Sequence, residues 1–344
     1  MSDIWDMVRV VLFGSDNGAA RDGVPAFDPE RDIPSLAGKI ILITGAAGDL
    51  GRQTTVELVR YGRPKRIYIT DLPRSNEAKQ ALVSQINNEA YGQTPEPADT
   101  SFTEIRFLEL DLASFDSVRK CAHELNTQEE KLDILILNAG IIRVLPGTTP
   151  EGYEIHFGIN YLGHALLTRL LMPALLRSTQ RVPGADVRII VVSSEGHLSA
   201  PKQGVEFDSI KTDCASMSYS MRYGQSKVAL IGLMKDLSRK YPQINSVAIH
   251  PGRILTGMAT SLQKESTLAR LTKPIAPFFC VPVATGIRNH LWAATSSEVV
   301  SGTYYEPVGV PGTLSPAARD ESFPTLLQEW TDNALNAVDT PVQK

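Results

Sequence analysis

Seven short apolar runs, each separated from the next by a longer stretch, leave few folds open to this 344-residue chain. They fall at 39–44, 66–70, 104–110, 132–137, 187–192, 246–250 and 302–305. All are rich in Ile, Val and Leu with little polar alternation, the pattern of strands buried on both faces. Between them lie helical patterns at 50–61, 76–90, 115–125, 153–176, 219–241 and 284–294. Alternation repeated this often predicts parallel strands joined by right-handed crossovers, a doubly wound α/β sheet in three layers, α/β/α. The expected organisation is an N-terminal extension over 1–36, one α/β body over 37–310, and a tail with a helix over 311–344.

Charge narrows the partners. The net charge is −4, so there is no basic field to hold a nucleic-acid backbone or an anionic membrane. Cys121, Cys214 and Cys280 are far apart and form no C-x-x-C pair, which predicts free thiols in a reducing compartment. The early apolar run at 4–13 is broken by Asp6 and Arg9. It is too short to span a bilayer and has no basic start or cleavage site. It reads as an amphipathic segment docked on the body of a cytoplasmic protein without a transmembrane segment, with a weak surface anchor as the alternative. Three stretches read as insertions: 91–101, 195–217 and 253–281, the last apolar enough to fold over a ligand.

The first run ends in Thr44-Gly45-Ala46-Ala47-Gly48-Asp49-Leu50-Gly51 and passes directly into a helical pattern. Glycines at 45, 48 and 51 allow a tight turn, close approach of backbone N–H groups to a pyrophosphate, and close packing of helix on strand. Asp71 closes the second strand, twenty positions after Gly51. A carboxylate there accepts hydrogen bonds from the adenosine ribose and repels a 2′-phosphate, which favours NAD(H). Arg52 and Arg74 keep NADP(H) as the alternative, because a guanidinium can hold that phosphate. Asp111 after the third strand, and Asn138-Ala139-Gly140 after the fourth, fall at further carboxyl ends, the edge where open sheets bind ligands.

Tyr223 and Lys227 are i and i+4 on a predicted helix and so share a face. An ammonium beside a phenol favours the phenolate, which predicts a tyrosine able to exchange protons near neutral pH. Ser193 and Ser194 stand at the carboxyl end of the fifth run, placed to donate a hydrogen bond to a substrate oxygen. His250-Pro251-Gly252-Arg253-Ile254-Leu255-Thr256 follows the sixth, where a Pro-Gly turn and a threonine can shape a binding wall. His123, His156, His164, His197, His250 and His290 lack any metal-ligand spacing and read as structural or surface residues, with His197 or His250 lining the substrate cleft as the alternative. No metal site is expected.

Taken together, LAGKIILITGAAGDLG (36–51), LNAGI (137–141), INYLG (159–163), RIIVVSS (188–194), YGQSK (223–227) and HPGRILT (250–256) resemble the short-chain dehydrogenase/reductases. The resemblance spans about 34–307 and is strongest to the retinol-dehydrogenase-like and WW-domain-oxidoreductase-like branch. It implies a Rossmann-type fold and an NAD(P)-dependent oxidoreductase interconverting a carbonyl and an alcohol on a lipophilic small molecule, with secondary metabolism as a setting by analogy. It also implies roles for individual residues. Tyr223 is the proton donor and acceptor, Lys227 lowers its pKa and binds the nicotinamide ribose, and Ser194, rather than Ser193, polarises the substrate carbonyl. Asn160 holds a water that links Lys227 to solvent. Thr44, Gly45, Gly48, Asp49, Leu50, Gly51, Asp71, Asp111, Leu112, Asn138, Ala139, Gly140, Pro251, Gly252 and Thr256, with Tyr223 and Lys227, line the cofactor.

Two features depart from the family pattern. The glycine spacing places Asp49 where shorter members carry a later glycine, a spacing typical of the extended branch, and Leu137 replaces the leading asparagine of the fourth-strand motif. The spacing leaves an epimerase or dehydratase as a further reading, and a cofactor-binding sensor or scaffold without turnover is another. The family also implies a homodimer paired through the two long helices that bear Asn160 and Tyr223, faces that the N-terminal extension or the 323–338 stretch would alter.

Overall fold

The computed structural model describes residues 27–92, 102–181, 184–253 and 281–339. Seven strands form one parallel sheet: β1 (Ile40–Thr44), β2 (Arg66–Asp71), β3 (Glu104–Glu109), β4 (Ile134–Leu137), β5 (Arg188–Val192), β6 (Asn245–Ile249) and β7 (Tyr304–Tyr305). Their spatial order is β3-β2-β1-β4-β5-β6-β7. The order reverses between β1 and β4, whose register pairs Ile41 with Ile134 and Ile43 with Ile136. That reversal opens a crevice at the carboxyl ends of these two strands, the natural ligand site of such a sheet.

Helices cover both faces, which accounts for the unbroken apolar runs. On one side lie α1 (Asp49–Glu57), α2 (Asn76–Tyr91) and α6 (Arg288–Thr295). On the other lie α3 (Phe115–Gln128), α4 (Gly163–Arg181), α5 (Tyr219–Lys240) and the C-terminal α7 (Phe323–Asp339). Alternate residues of β5 feed the two cores: Ile189 and Val191 face α4 and α5, whereas Ile190 packs with the α1 and α6 side.

The elements follow the sequence pattern with physical adjustments at their ends. The helix expected over 50–61 closes in a π turn, Leu58–Gly62, and stops at Arg63, which is left-handed at φ +50°. The helix expected from 153 starts two residues later, at 155, and passes through a π turn at Phe157–Leu162 into α4. An antiparallel bridge from Thr148 to Glu154 keeps the preceding segment out of the helix. The last strand shrinks to two residues. Of the expected insertions, 93–101 and 254–280 lie outside the described residues, as do Thr256 and the 4–13 segment.

The tail does more than trail behind the body. Helix α7 packs on α5 so tightly that a Cβ on Gly232 would come within 2.6 Å of Leu327. The Tyr161 hydroxyl meets Thr331 Oγ1 at 2.6 Å, and the Trp330 ring lies 5.7 Å from Phe157 and 5.4 Å from Phe207. The helix therefore covers an outer face of α5 and braces the 201–217 segment. No helix among the described residues is long and apolar enough to cross a membrane.

Candidate active site

Backbone dominates the turn after β1. Gly45 takes φ +68°, a region open to glycine, and a Cβ there would sit 2.9 Å from the Ala139 Cα. At Gly51 a Cβ would come 2.5 Å from the Gly45 carbonyl, so helix α1 can approach only with glycine at that point. Thr44 Oγ1 accepts the amides of Asn138 and Ala139, both at 2.9 Å, which stitches β1 to the end of β4. The Asn138 side chain donates to the Thr44 carbonyl at 2.8 Å. Leu112 is buried, and its carbonyl would be 2.4 Å from a Cβ at Gly163. The Asp111 carboxylate caps the next turn by accepting from Ala113 N at 2.9 Å.

Asp71 is less free than its position in the sequence suggests. Its Oδ2 accepts the Ala47 amide at 3.0 Å, and its Oδ1 accepts Leu72 N at 2.9 Å and Arg74 Nη2 at 3.0 Å. The carboxylate thus holds the glycine turn in shape, with a guanidinium beside it. Arg52 is committed elsewhere, to Glu89.

The residues of the second motif group converge on the carboxyl end of β5. Ser193 Oγ is buried and donates to the Lys227 carbonyl at 2.8 Å, so it fastens α5 to the sheet. Ser194 Oγ caps the turn at Glu195–Ser199 by accepting the Gly196 amide at 3.1 Å, and it borders Gly196 together with the Tyr223 ring: a Cβ there would lie 3.4 Å from Ser194 Oγ and 2.6 Å from Tyr223. Lys227 Nζ donates to the Val192 carbonyl at 2.9 Å and lies 5.5 Å from the Tyr223 ring centroid. Asn160 is fully buried; its Oδ1 accepts Ile141 N at 2.8 Å, and its Nδ2 donates to Ile141 O at 3.1 Å and Ser226 Oγ at 3.0 Å. A Cβ on Gly140 would sit 3.2 Å from Asn160 Oδ1 and 3.5 Å from Lys227 Nζ, so glycine keeps the gap between these polar groups open. Pro251 and Gly252, the latter at φ +85°, form the turn beyond β6.

The charge expectation for the tyrosine is corrected. Spacing alone predicts a lowered phenol; instead, burial pushes Tyr223 up to about 12, opposed by the hydrogen bond with Ser194. Burial pushes Lys227 down to about 8. The ammonium turns to a backbone carbonyl, so its charge acts on the hydroxyl less than an i,i+4 pair in water would suggest.

Several participants escaped the sequence reading. His164 is one of five buried histidines and is neutral, held down to about 4 by burial. Its Nδ1 lies 2.9 Å from the Asn160 carbonyl and must therefore be the donor, which leaves Nε2 to accept from Thr44 Oγ1 at 2.9 Å. A hydrogen-bond chain thus runs from Thr44 at the glycine turn through His164 to Asn160 and on to Ser226, which donates to the Tyr223 carbonyl at 2.7 Å. Gly196 and Gly224 also matter: a Cβ on Gly196 would strike the Tyr223 ring at 2.6 Å, and one on Gly224 would meet the Gly196 carbonyl at 2.8 Å. Glu195, His250 and Glu306 bring ligand-type atoms within 4.8 Å of one another. Arg253 sets its Nε 2.6 Å from Glu195, and burial holds His250 down to about 4. Only His123 among the histidines is exposed.

A profile described as short chain dehydrogenase matches residues 39–267. The chain belongs to the short-chain dehydrogenase/reductase family. Human retinol dehydrogenase 14 is 37% identical over 307 residues, covering 86% of each chain. An uncharacterised oxidoreductase of Schizosaccharomyces pombe is 35% identical over 307 residues, covering 88% of this chain and 86% of its own. An uncharacterised Mycobacterium paratuberculosis protein of known structure superposes with a TM-score of 0.64 at 25% identity, covering 89% of this chain and 96% of that one. Within the family this dehydrogenase/reductase falls in the retinol-dehydrogenase-like branch, and it is an NAD(P)-dependent oxidoreductase acting between alcohols and carbonyls.

Proposed function

We propose that this enzyme interconverts a carbonyl and an alcohol on a lipophilic small molecule, with Tyr223 as proton donor and acceptor and Ser194 as the polarising group. The observation that carries this reading is the gathering of Ser194 and Tyr223 on either side of Gly196 at the carboxyl end of β5, with the buried Lys227 ammonium over the phenol ring. The nicotinamide supplies or takes the hydride at the substrate carbon. The chain's own groups act on the oxygen. Ser194 Oγ–H and Tyr223 Oη–H donate to the carbonyl oxygen, and as negative charge develops there the Tyr223 proton moves across. A phenol held near 12 is protonated at neutral pH and so is ready for the reductive direction. Oxidation requires the phenolate first. Lys227, at about 8, carries most of its charge at pH 7, and only one of its three protons is spent on Val192. The gap kept by Gly140 between Asn160 and Lys227 suits a water that returns the proton to solvent.

The glycine turn fits a dinucleotide: Gly45 and Gly51 let the turn and helix α1 pack against Ala139 and the Gly45 carbonyl, which sets the helix start at Asp49 at the carboxyl end of β1. Thr44, Gly48, Leu50, Asp111, Leu112, Asn138, Ala139, Gly140, Pro251 and Gly252 would border the cofactor, and Thr256 joins them on its motif alone. Asp71 supports NAD(H) as the preferred form, with Arg74 at its side as the group that would serve NADP(H). The catalytic domain is taken as 37–310 and the compartment as the cytoplasm. Because α7 covers an outer face of α5, a homodimer would use another surface or share this one with the tail.

The test is turnover of a panel of lipophilic ketones and aldehydes with NADH and with NADPH, followed by loss of reduced-nicotinamide absorbance. Reduction faster with NADH supports the whole reading, and a strong preference for NADPH overturns the part assigned to Asp71. Tight cofactor binding without turnover on any substrate would favour a sensor instead.

A further inference from the structure

Three ionisable side chains that the proton chemistry does not use are gathered next to Tyr223. Glu154 and His156 are fully buried and Arg222 is 3% exposed. Buried charges persist only when paired, since each costs several kcal/mol to take out of water. Here Glu154 Oε1 accepts from Arg222 Nη1 at 3.3 Å and from His156 Nδ1 at 2.9 Å. Its Oε2 accepts the Phe157 amide at 2.8 Å. The second arm of the Arg222 guanidinium, Nη2, donates to the Val144 carbonyl at 3.2 Å.

The positions of these residues give the contacts their meaning. Arg222 immediately precedes Tyr223 in α5, while Glu154 and His156 lead into the π turn that carries Asn160. Val144 belongs to the loop after β4, the same loop that presents Leu145 and makes the Ile141 contacts of Asn160. The His156 ring stands edge-on to Tyr223, with centroids 6.1 Å apart and planes at 75°. Downstream of the tyrosine, α5 is tied to its neighbours by Asn160 to Ser226 and by Ser193 to Lys227. Upstream, the tie is the Glu154–Arg222 pair. A helix held on both sides of one residue can neither slide nor roll at that residue, and a shift of about 1 Å at a reacting group can cost on the order of a hundredfold in rate.

We propose that Glu154, His156 and Arg222 form a buried clamp of positioning residues that sets the Tyr223 ring and ties the 141–147 loop to the catalytic helix. The proposal rests on the catalytic reading above for its rate effects, but its geometry stands apart from that reading. The clamp needs arginine because a planar fork reaches two acceptors at once, which the point charge of lysine does not.

Two variants test it, each read by activity and by hydrogen exchange. Arg222→Lys keeps a positive charge opposite Glu154 and gives up the second contact. The double variant Glu154→Gln/Arg222→Met removes both charges together, so neither is left uncompensated. The expected result is a kcat lower by about tenfold in Arg222→Lys and by about a hundredfold in the double variant. The substrate KM should rise, and the dissociation constant for NADH should stay within about twofold, since the glycine turn is untouched. Amide exchange should speed up in segments 141–147 and 219–224 and stay unchanged in β1. A wild-type protein that turns over no substrate removes the catalytic reading, while the exchange pattern still decides the clamp. Exchange unchanged in 141–147 and 219–224, or accelerated equally in β1, overturns it. So does a double variant that fails to fold while Arg222→Lys behaves as wild type, because the pair would then belong to the general core.

Discussion

The two halves of the site are built from different materials. Around β1 the chain presents backbone: a left-handed Gly45, a Gly51 pressed to within a missing Cβ of the Gly45 carbonyl, and amides stitched to Thr44 Oγ1. Around the start of α5 it presents side chains, most of them buried and each hydrogen-bonded: Ser193 to the Lys227 carbonyl, Asn160 to the Ile141 amide and Ser226, Arg222 to Glu154. A group that must be approached closely by a large anion is best met by N–H groups and space. A proton that must move between two oxygens is best met by hydroxyls whose rotamers are fixed. Damage to one half should therefore change binding, and damage to the other should change rate.

The largest separation of the two should come from Gly51→Val. Its side chain has no room beside the Gly45 carbonyl and Ala46, so cofactor affinity measured by fluorescence titration should fall by at least about a hundredfold. Affinity within about threefold of wild type would break the claim that this turn is the cofactor's seat. Gly196→Ala is its counterpart on the catalytic side. The added methyl meets the Tyr223 ring at 2.6 Å, so kcat should drop by about tenfold or more with the cofactor dissociation constant unchanged. A loss of cofactor binding instead would merge the two halves. Asp71→Ala should shift the ratio of kcat/KM values for NADH and NADPH by about tenfold towards NADPH, because Arg74 then loses its partner. An unchanged ratio would place the selection elsewhere.

The smallest effect concerns stability rather than rate. His164, His250 and His290 are each held down to about 4 by burial, against an ordinary value of 6.5. They stay neutral in the fold while the unfolded chain takes up protons below 6.5, so their contribution is whole above that value and is lost as pH falls towards 4. Each could cost the fold up to about 3 kcal/mol of stability by the lower end. Glu306 and Asp236, whose carboxyls burial holds up, offset part of this because the fold binds their protons more readily. Thermal midpoints should fall steadily from pH 6.5 to 4.5, and a flat profile would show that these histidines gain charge within the fold.

The backbone-built half was the more legible in sequence. Strand, glycine turn and helix are contiguous, so Gly45, Gly48, Gly51 and Asp71 could be placed by counting, and burial on both faces of the sheet wrote itself into the Ile, Val and Leu runs. Tyr223 and Lys227 were legible for the same local reason. His164, Glu154 and Arg222 were not, because their meaning comes from distant partners: His164 meets Thr44 across 120 positions, and Glu154 meets Arg222 across 68. The direction of the Tyr223 shift was misread because spacing reports proximity to Lys227 and not the burial that outweighs it. Likewise a helix in the tail was expected, but its seat on Gly232 was not.

The central claim is that Tyr223 moves the proton. It is tested most directly by single-turnover reduction of a ketone found in the panel, comparing wild type with Tyr223→Phe at saturating reduced cofactor. Removing one hydroxyl from a seat that otherwise keeps its packing should leave cofactor affinity intact and slow hydride transfer by about a thousandfold. A Tyr223→Phe enzyme that reduces the ketone within about threefold of the wild-type rate would contradict the account.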